Sequence, residues 1–135
     1  EAEEFKGKFF DHYTGLRDWH KCTKSGSYYE ARTLKGRRRL WSTVSSLNER
    51  LNMPVQGTAA DIMKIALARL PKALKGTEAK LVAIIHDEII LEVPEDKAEA
   101  AKRMLVTVME SAGDGFIDIP LVAEAAIADS WAGKA

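Results

Sequence analysis

The feature that most constrains this chain is a pair of short apolar runs that meet at adjacent acidic residues. Leu81 to Ile85 and Ile89 to Val93 are rich in valine, isoleucine and leucine, and the segment His86–Glu88 separates them. Runs of this length and composition are typical of β-strands, and Pro94 closes the second run. An antiparallel hairpin is the simplest way to join them. We therefore predict a hairpin whose tip carries His86, Asp87 and Glu88.

The two carboxylates at this tip are not expected to chelate one ion together. Side chains alternate between the two faces of a strand, so Asp87 and Glu88 should point in roughly opposite directions. A single oxygen ligand from Asp87 suits Mg²⁺, which usually takes one or two protein carboxylates together with substrate phosphates. The alternative is that both are ordinary polar residues of a turn.

The composition is that of a globular protein. The chain has 135 residues, of which 46% are hydrophobic and 30% charged, so one domain with a real core is expected. No apolar run approaches the roughly 20 residues of a membrane helix, and no secretory signal opens the chain. The single cysteine, Cys22, rules out an internal disulfide and suits a reducing cytoplasm. Because the chain does not begin with Met, we expect a processed chain or a fragment.

The charges are unevenly distributed although they cancel overall. Residues 1–52 hold 11 Lys and Arg against 7 Asp and Glu, whereas residues 53–135 hold 9 against 13. A basic front half suits phosphate contacts and an acidic back half suits metal binding, while chance clustering would give the same asymmetry.

Periodicity and turn residues predict the other elements. Residues 1–24 have the period of two helices with a break at Gly15. A second hairpin is expected over Tyr28–Trp41, and Ser46 and Glu49 have the spacing of a capping box. We predict a tight turn at Gly57, a helix from Thr58 to Pro71, and a helix after Asp96. A final strand over Leu121–Ala128 is expected to join the sheet that carries Asp87.

Three segments resemble family A DNA polymerases, the bacterial DNA polymerase I type. His86-Asp87-Glu88 within an apolar hairpin is similar to the motif that carries one of the family's catalytic aspartates. Residues 52–64 read Asn-Met-Pro-Val-Gln-Gly-Thr-Ala-Ala-Asp-Ile-Met-Lys, which resembles the family's Asn-x-Pro-x-Gln-Gly-Thr-Ala-Ala-Asp segment. Residues 33–39 resemble its Thr-x-x-Gly-Arg-Arg element. Two motifs in the right order, about 30 residues apart, are far more specific than either alone.

The resemblance implies an α+β fold, in which a small antiparallel β-sheet packs against helices as in a polymerase palm. Residues 1–26 would be the helical end of the fingers subdomain, and residues 27–135 the C-terminal part of the palm. The resemblance extends over nearly the whole chain. Residues 42–51 form a shorter segment than cellular enzymes have, which is more similar to phage-type members.

The resemblance also implies a role for each candidate site residue. Asp87 would be one of two aspartates that hold a pair of Mg²⁺ ions, and Glu88 would tune the site or the primer terminus. The remaining candidates would contact nucleic acid: Asn52, Gln56 and His86 in the minor groove, and Arg37, Arg38 and Arg50 elsewhere on the DNA. Amides both donate and accept hydrogen bonds, which suits the acceptors of the minor groove. Without the resemblance, Asn52 and Gln56 would be interpreted as cap and turn residues, and the arginines as partners of acidic neighbours.

The family's first metal aspartate and its nucleotide-binding helix do not occur in these 135 residues. We therefore predict that the chain alone is inactive and that an N-terminal polymerase segment or chain completes it. Primer-template DNA and a deoxynucleoside triphosphate would be its other partners, in the cytoplasm of a bacterial or phage-infected cell. Two alternatives stay open: a non-catalytic nucleic-acid-binding module, and an inactive remnant.

Overall fold

The structure, a computed structural model, describes residues 1–133, which form four α-helices and two separate two-stranded antiparallel sheets. The predicted α+β class is thereby confirmed. In chain order the elements are α1 (Ala2–His12), α2 (Thr14–Ser25), β1 (Glu30–Arg32), β2 (Arg38–Leu40), α3 (Leu47–Leu74), β3 (Lys80–Ile85), β4 (Glu88–Glu92) and α4 (Ala98–Glu110). Short 3₁₀ turns lie at Glu95–Lys97, Ser111–Gly113 and Trp131–Gly133.

The chain divides into two compact units, Glu1–Thr58 and Ala59–Ala135. The division falls inside α3, just after Thr58. The predicted subdomain boundary after residue 26 concerns assignment to fingers and palm, and it stays a prediction.

The two predicted N-terminal helices are present, but the break between them lies at Tyr13, which has φ −99° and ψ 68°. Gly15 falls instead in the first turn of α2, where its flexibility costs little. Aromatic rings hold the two helices together, since the ring centroids of Phe10 and His20 lie 5.1 Å apart in an edge-to-face arrangement.

The hairpin predicted over Tyr28–Trp41 is confirmed, with shorter strands. Ala31 pairs with Arg39, and Arg32 with Arg38. The turn between the strands is closed by hydrogen bonds at both of its ends, because the Thr33 N–H donates to the Arg37 carbonyl and the Gly36 N–H to the Thr33 carbonyl. Gly36 has φ +83°, a conformation that glycine adopts without steric cost.

Helix α3 is longer than the sequence predicted, because it begins at Leu47 and continues through both Pro54 and Pro71 to Leu74. A proline inside a helix removes one hydrogen bond and costs about 3 kcal/mol, which favours a break. Burial outweighs this cost here, since both halves of α3 have buried residues: Arg50, Met53, Thr58 and Asp61 on one face of its first half, and Ala66 and Leu70 on the opposite face of its second half. Gly57 is therefore a helical residue, and the tight turn predicted there is wrong.

The hairpin predicted around His86, Asp87 and Glu88 is present as strands β3 and β4. Ile85 pairs with Glu88 and Ile84 with Ile89, so His86 and Asp87 form a two-residue turn. The register shifts between Leu81 and Ala83, which leaves Val82 as an extra residue in β3. Such a bulge bends a strand and increases its twist.

The helix predicted after Asp96 is α4, with Ala101 and Ala112 among the buried residues of this unit. The strand predicted over Leu121–Ala128 is wrong, because these residues form no strand. Residues 121–125 do alternate between half-buried and exposed positions, as an extended segment would. The Ala123 N–H, however, donates to the Glu110 carboxylate at 3.1 Å, and Leu121 packs against Gly113.

Among residues 1–133, no helix is both long enough and apolar enough to cross a membrane.

Candidate catalytic hairpin and nucleic-acid interface

The backbone is strained at the tip of the β3–β4 hairpin. His86 has φ +55°, and it is the one residue other than glycine with positive φ among residues 1–133. A left-handed conformation costs a non-glycine residue roughly 1–2 kcal/mol, although histidine tolerates it better than most residues. Strain of this kind persists where the surrounding structure imposes it, often at functional sites. Here it lies directly before Asp87.

The two carboxylates of the predicted site differ in their environment. Asp87 is exposed at the tip, and no hydrogen bond or ion pair within residues 1–133 engages its carboxylate. Glu88 is the first residue of β4 and is half-buried. A free, exposed carboxylate is chemically suited to be one oxygen ligand of a divalent cation.

The described residues do not complete a metal site by themselves. No group of three or more His, Cys, Asp or Glu side chains able to hold a metal occurs among residues 1–133. The Asp87 carboxylate thus fits one ligand of Mg²⁺, and the described residues do not provide a full coordination shell.

Asn52 and Gln56 lie inside α3, four residues apart and both exposed. Residues at this spacing share one face of a helix. They are neither cap nor turn residues, so that alternative is wrong. Their amides face outward, where they can donate and accept hydrogen bonds with a ligand.

The turn of the first hairpin docks on α3 beside Gln56. The Thr58 hydroxyl accepts from the Leu34 N–H at 3.0 Å, and the Arg37 guanidinium donates to the Gly57 carbonyl at 2.9 Å. A Cβ on Gly57 would lie only 2.7 Å from the Thr33 Cγ2 methyl, so glycine permits this close approach. Sequence reasoning missed this docking, because Thr33 was predicted only as part of the second hairpin and Thr58 as the start of a helix. Gly57 was the available signal, since a glycine can mark a close approach of two segments.

The arginines of this hairpin are exposed, and each also contacts the protein. Arg38 lies 3.7 Å from Glu30, and the Arg39 guanidinium stacks over Trp41 at 5.1 Å from the ring centroid. Ion pairs this exposed contribute little stability. Arg37 and Arg38 are both exposed, and their assignment as phosphate contacts stays a prediction.

Arg50 is buried, with 4% of its surface exposed. Its guanidinium donates to the Thr23 carbonyl at 2.5 Å and lies 4.4 Å from the ring centroid of Tyr28. Arg50 therefore ties the C-terminal turn of α2 to the first turns of α3. Its assignment as a DNA contact stays a prediction.

A capping box begins α3, as the sequence predicted. The Ser46 N–H donates to the Glu49 carboxylate at 2.8 Å, and the Glu49 N–H donates to the Ser46 hydroxyl at 3.2 Å. The hydrogen bonds from the Ser46 backbone and hydroxyl lower the pKa of Glu49 below its ordinary value. Because the capping box fixes where α3 begins, it also fixes where Asn52 and Gln56 lie around the helix.

Comparison with known sequences identifies the kind of protein to which these features belong. The sequence profile of DNA polymerase family A matches residues 1–133. The chain therefore belongs to DNA polymerase family A.

Particular relatives are bacterial enzymes of the polymerase I type. The chain is 43% identical to the thermostable DNA polymerase I of Thermus filiformis over 144 aligned residues, which cover 97% of the chain and 17% of that enzyme. It is 35% identical to DNA polymerase I of Aquifex aeolicus, of which it covers 24%. The chain thus spans less than a quarter of the length of these relatives.

The fold has a counterpart among solved structures. The POL domain of Pol1 from M. smegmatis, in complex with DNA primer-template and dNTP, matches with a TM-score of 0.72 and 29% identity. The match covers 90% of this chain and 24% of the other.

Proposed function

We propose that this chain is the part of a DNA-directed DNA polymerase that supplies its second catalytic aspartate. The reaction would be template-directed transfer of a deoxynucleotide to a primer 3′-hydroxyl. The observation that carries the proposal is Asp87, an exposed and unpaired carboxylate held at a hairpin tip by a strained neighbour. Membership of the polymerase family supports it.

Asp87 is proposed to bind Mg²⁺ as one ligand of a two-metal site. When bound, the metal pair would lower the pKa of the attacking hydroxyl and stabilise the pyrophosphate leaving group. The chain's own contribution is to present the Asp87 carboxylate to solvent in a two-residue turn between paired strands. Glu88, half-buried beside it, would tune this position rather than bind both ions.

The proposed duplex contacts divide by chemistry. Asn52, Gln56 and His86 would donate hydrogen bonds to the minor-groove acceptors that all base pairs share. Arg37 and Arg38 would contact phosphates, for which the guanidinium group offers paired donors. Arg50 would contact the DNA only if its guanidinium group, which is buried here, became exposed.

The proposal requires a completing polymerase segment, and the surface of the chain supports one. On strand β3, Leu81, Val82 and Ile84 are 44%, 58% and 47% exposed. A two-stranded hairpin is marginally stable without further packing. We therefore expect another segment of the polymerase to cover this strand.

The test is primer extension after mixing. The purified chain is combined with a family A polymerase segment that ends before it, with primer-template DNA, Mg²⁺ and nucleotides. We expect extension by the mixture, none by either part alone, and none with Asp87→Ala. Asp118→Ala, an exposed carboxylate in the same unit, is the matched control and should extend normally. Extension by the chain alone, or by the Asp87→Ala mixture, would refute the proposal.

A second candidate function is a non-catalytic nucleic-acid-binding module. The excess of four positive charges in residues 1–52 and the exposed arginine hairpin favour it. It predicts duplex binding by the chain alone, weakening steeply with salt, together with no extension in any mixture. An inactive remnant would show neither binding nor extension.

A further inference from the structure

Strand β3 has one residue more than the ladder with β4 needs, and that residue is Val82. Leu81 and Ala83, its two neighbours, pair with consecutive residues of β4, so Val82 has no opposite residue. An extra residue of this kind is a β-bulge, which bends its strand and increases the local right-handed twist. The bulge lies five residues before Asp87.

Neither pairing nor burial explains why the extra residue is there. Val82 has no partner in the ladder, and 58% of its surface is exposed, so it buries little apolar area within this chain. Because successive pairs of an antiparallel ladder alternate between its faces, joining Leu81 directly to Ala83 would keep every pair and leave each side chain on its present face. The five pairs are Lys80–Glu92, Leu81–Leu91, Ala83–Ile90, Ile84–Ile89 and Ile85–Glu88.

The open end of the hairpin, below the bulge, is tied to the helices of its unit. The Thr77 hydroxyl donates to the Leu74 carbonyl at the end of α3 at 2.7 Å. Glu78, two residues before β3, forms an ion pair with Lys97, the residue that precedes the first turn of α4. The bulge therefore lies between a hairpin end that is attached to α3 and α4 and a tip that extends away from it.

The bulge determines the direction of this tip. Each residue of a strand spans about 3.3 Å, and a bulge takes up this extra length in a local bend. Three further pairs and a two-residue turn connect the bend to Asp87. Because these pairs fix the register as far as the turn, a bend at Val82 changes the direction of the whole tip, and with it the direction of the Asp87 carboxylate.

We propose that the Val82 bulge aims the hairpin tip, so that the Asp87 carboxylate reaches its working position in the completed polymerase. This inference rests on the proposed function. Val82 is thereby a positioning residue that acts through Asp87, and its extra length of backbone is what acts, not its side chain. Bulges occur often beside active sites, where they re-aim a side chain. A displacement of about 1 Å at a reacting group can lower a rate about a hundredfold.

The test compares three changes at position 82. Deletion of Val82 removes the bulge, Val82→Ala keeps the bulge and shortens the side chain, and Val82→Gly keeps the residue but loosens its backbone. Each chain is combined with a saturating amount of a family A polymerase segment that ends before it, with primer-template DNA and nucleotides. Single-turnover extension is then measured at saturating Mg²⁺. Saturation with the segment removes any effect of Val82 on assembly.

The deletion should lower the single-turnover rate at least about tenfold, and Val82→Gly should lower it about three- to tenfold. Val82→Ala should stay within about twofold of the natural chain, because its bulge is intact. The urea midpoint of the deletion variant alone should not fall, since all five pairs of the ladder remain. A loss of rate without a loss of stability separates positioning from a structural role.

A second measurement does not depend on turnover. Mn²⁺ is titrated into each completed enzyme with a primer that lacks its 3′-hydroxyl, and free Mn²⁺ is measured by electron paramagnetic resonance. Affinity for Mn²⁺ should weaken in the deletion variant about three- to tenfold and stay unchanged in Val82→Ala. Affinity for the primer-template duplex should be the same in both.

Normal extension and normal Mn²⁺ affinity in the deletion variant would overturn the inference, and self-association of that variant would then show that the bulge protects the edge of β3. Equal losses in Val82→Ala and the deletion would also overturn it, because the side chain would then be responsible. If the deletion variant does not fold, equal rates for Val82→Gly and Val82→Ala contradict the inference.

Asp87→Ala, measured alongside, separates this inference from the proposed function. If Asp87→Ala abolishes extension while deletion of Val82 leaves it unchanged, this inference is wrong and the proposed function stands. If Asp87→Ala extends normally, both fail.

Discussion

His86 holds a backbone conformation that most side chains avoid, one residue before the carboxylate proposed to bind metal. The turn has two residues, and its first position has positive φ, where hairpins usually place glycine. A histidine at this position gives up some stability. In return, the hairpin tip gains an imidazole beside Asp87, which the proposed function uses as a duplex contact.

We predict opposite effects of two substitutions at His86. His86→Val should lower the free energy of unfolding by about 1–2 kcal/mol, because a β-branched residue is strongly disfavoured at positive φ. His86→Gly should not lower it, although it also removes the imidazole. Urea unfolding monitored by circular dichroism measures both variants. Equal destabilisation by valine and glycine would show that the imidazole, and not the backbone, determines stability at this turn.

Glu49 gives a second prediction at the level of single residues. Hydrogen bonds from Ser46 hold its pKa below the ordinary value of 4.5, so folding favours the ionised form. The resulting stability is fully present above that ordinary value and is lost as pH falls through the lower folded-state pKa. Relative to Glu49→Gln, the natural chain should therefore be more stable at neutral pH and lose this advantage in acid. Urea midpoints across a pH series test this, and an advantage independent of pH would contradict it.

Helix α3 begins at the capping box, carries the exposed amides of Asn52 and Gln56, and contacts the turn of the first hairpin. Its packing against Thr33 determines which side chains are tolerated at position 57. Replacing a helical glycine with alanine usually stabilises a protein by roughly 0.5–1 kcal/mol. Gly57 should behave differently, because its Cβ would lie 2.7 Å from the Thr33 methyl and 3.2 Å from the Met53 Cε. The helix and the docked turn would be forced apart.

Gly57→Ala should therefore lower the free energy of unfolding by about 1–3 kcal/mol. Thr33→Ser removes the methyl group but keeps the hydroxyl that accepts from the Arg37 N–H, so Gly57→Ala should be tolerated better in that background. Gly7→Ala is the matched control, since a Cβ there meets nothing within 4 Å, and it should stabilise α1. If Gly57→Ala stabilises the protein as Gly7→Ala does, the docking of the turn on α3 is wrong.

Local sequence signals were reliable for elements that form through local interactions. The β3–β4 hairpin and the Ser46–Glu49 cap depend on neighbours in sequence, and they were predicted. The tip was predicted one residue too long, because Glu88 is already the first residue of β4. The length of α3 was not predictable, because the burial of Arg50, Met53 and Leu70 outweighs two prolines, and burial depends on distant parts of the chain. The strand predicted over Leu121–Ala128 does not form, again because of interactions with distant residues. Residues 121–125 do alternate in burial, but a strand also requires a partner strand, which the periodicity of one segment does not reveal.

On the scale of the whole molecule, the chain spans less than a quarter of the length of the two relatives compared above. This supports the proposal that it functions as a segment of a larger polymerase. The proposal also requires metal ligands from elsewhere, because no group of three or more possible ligands occurs among residues 1–133. In this account, the folded chain presents Asp87, and the remainder of the enzyme supplies the other ligands.

The most direct test of this account separates chemistry from binding at Asp87. Asp87→Asn preserves the shape of the side chain and removes the charge that would bind Mg²⁺. In the completed enzyme, single-turnover primer extension at saturating Mg²⁺ should fall at least about a hundredfold, as expected when several kcal/mol of metal stabilisation are lost. Affinity for the primer-template duplex should stay within about twofold, because the proposed base and phosphate contacts are made by other residues. An extension rate within a few-fold of the natural chain would contradict the account.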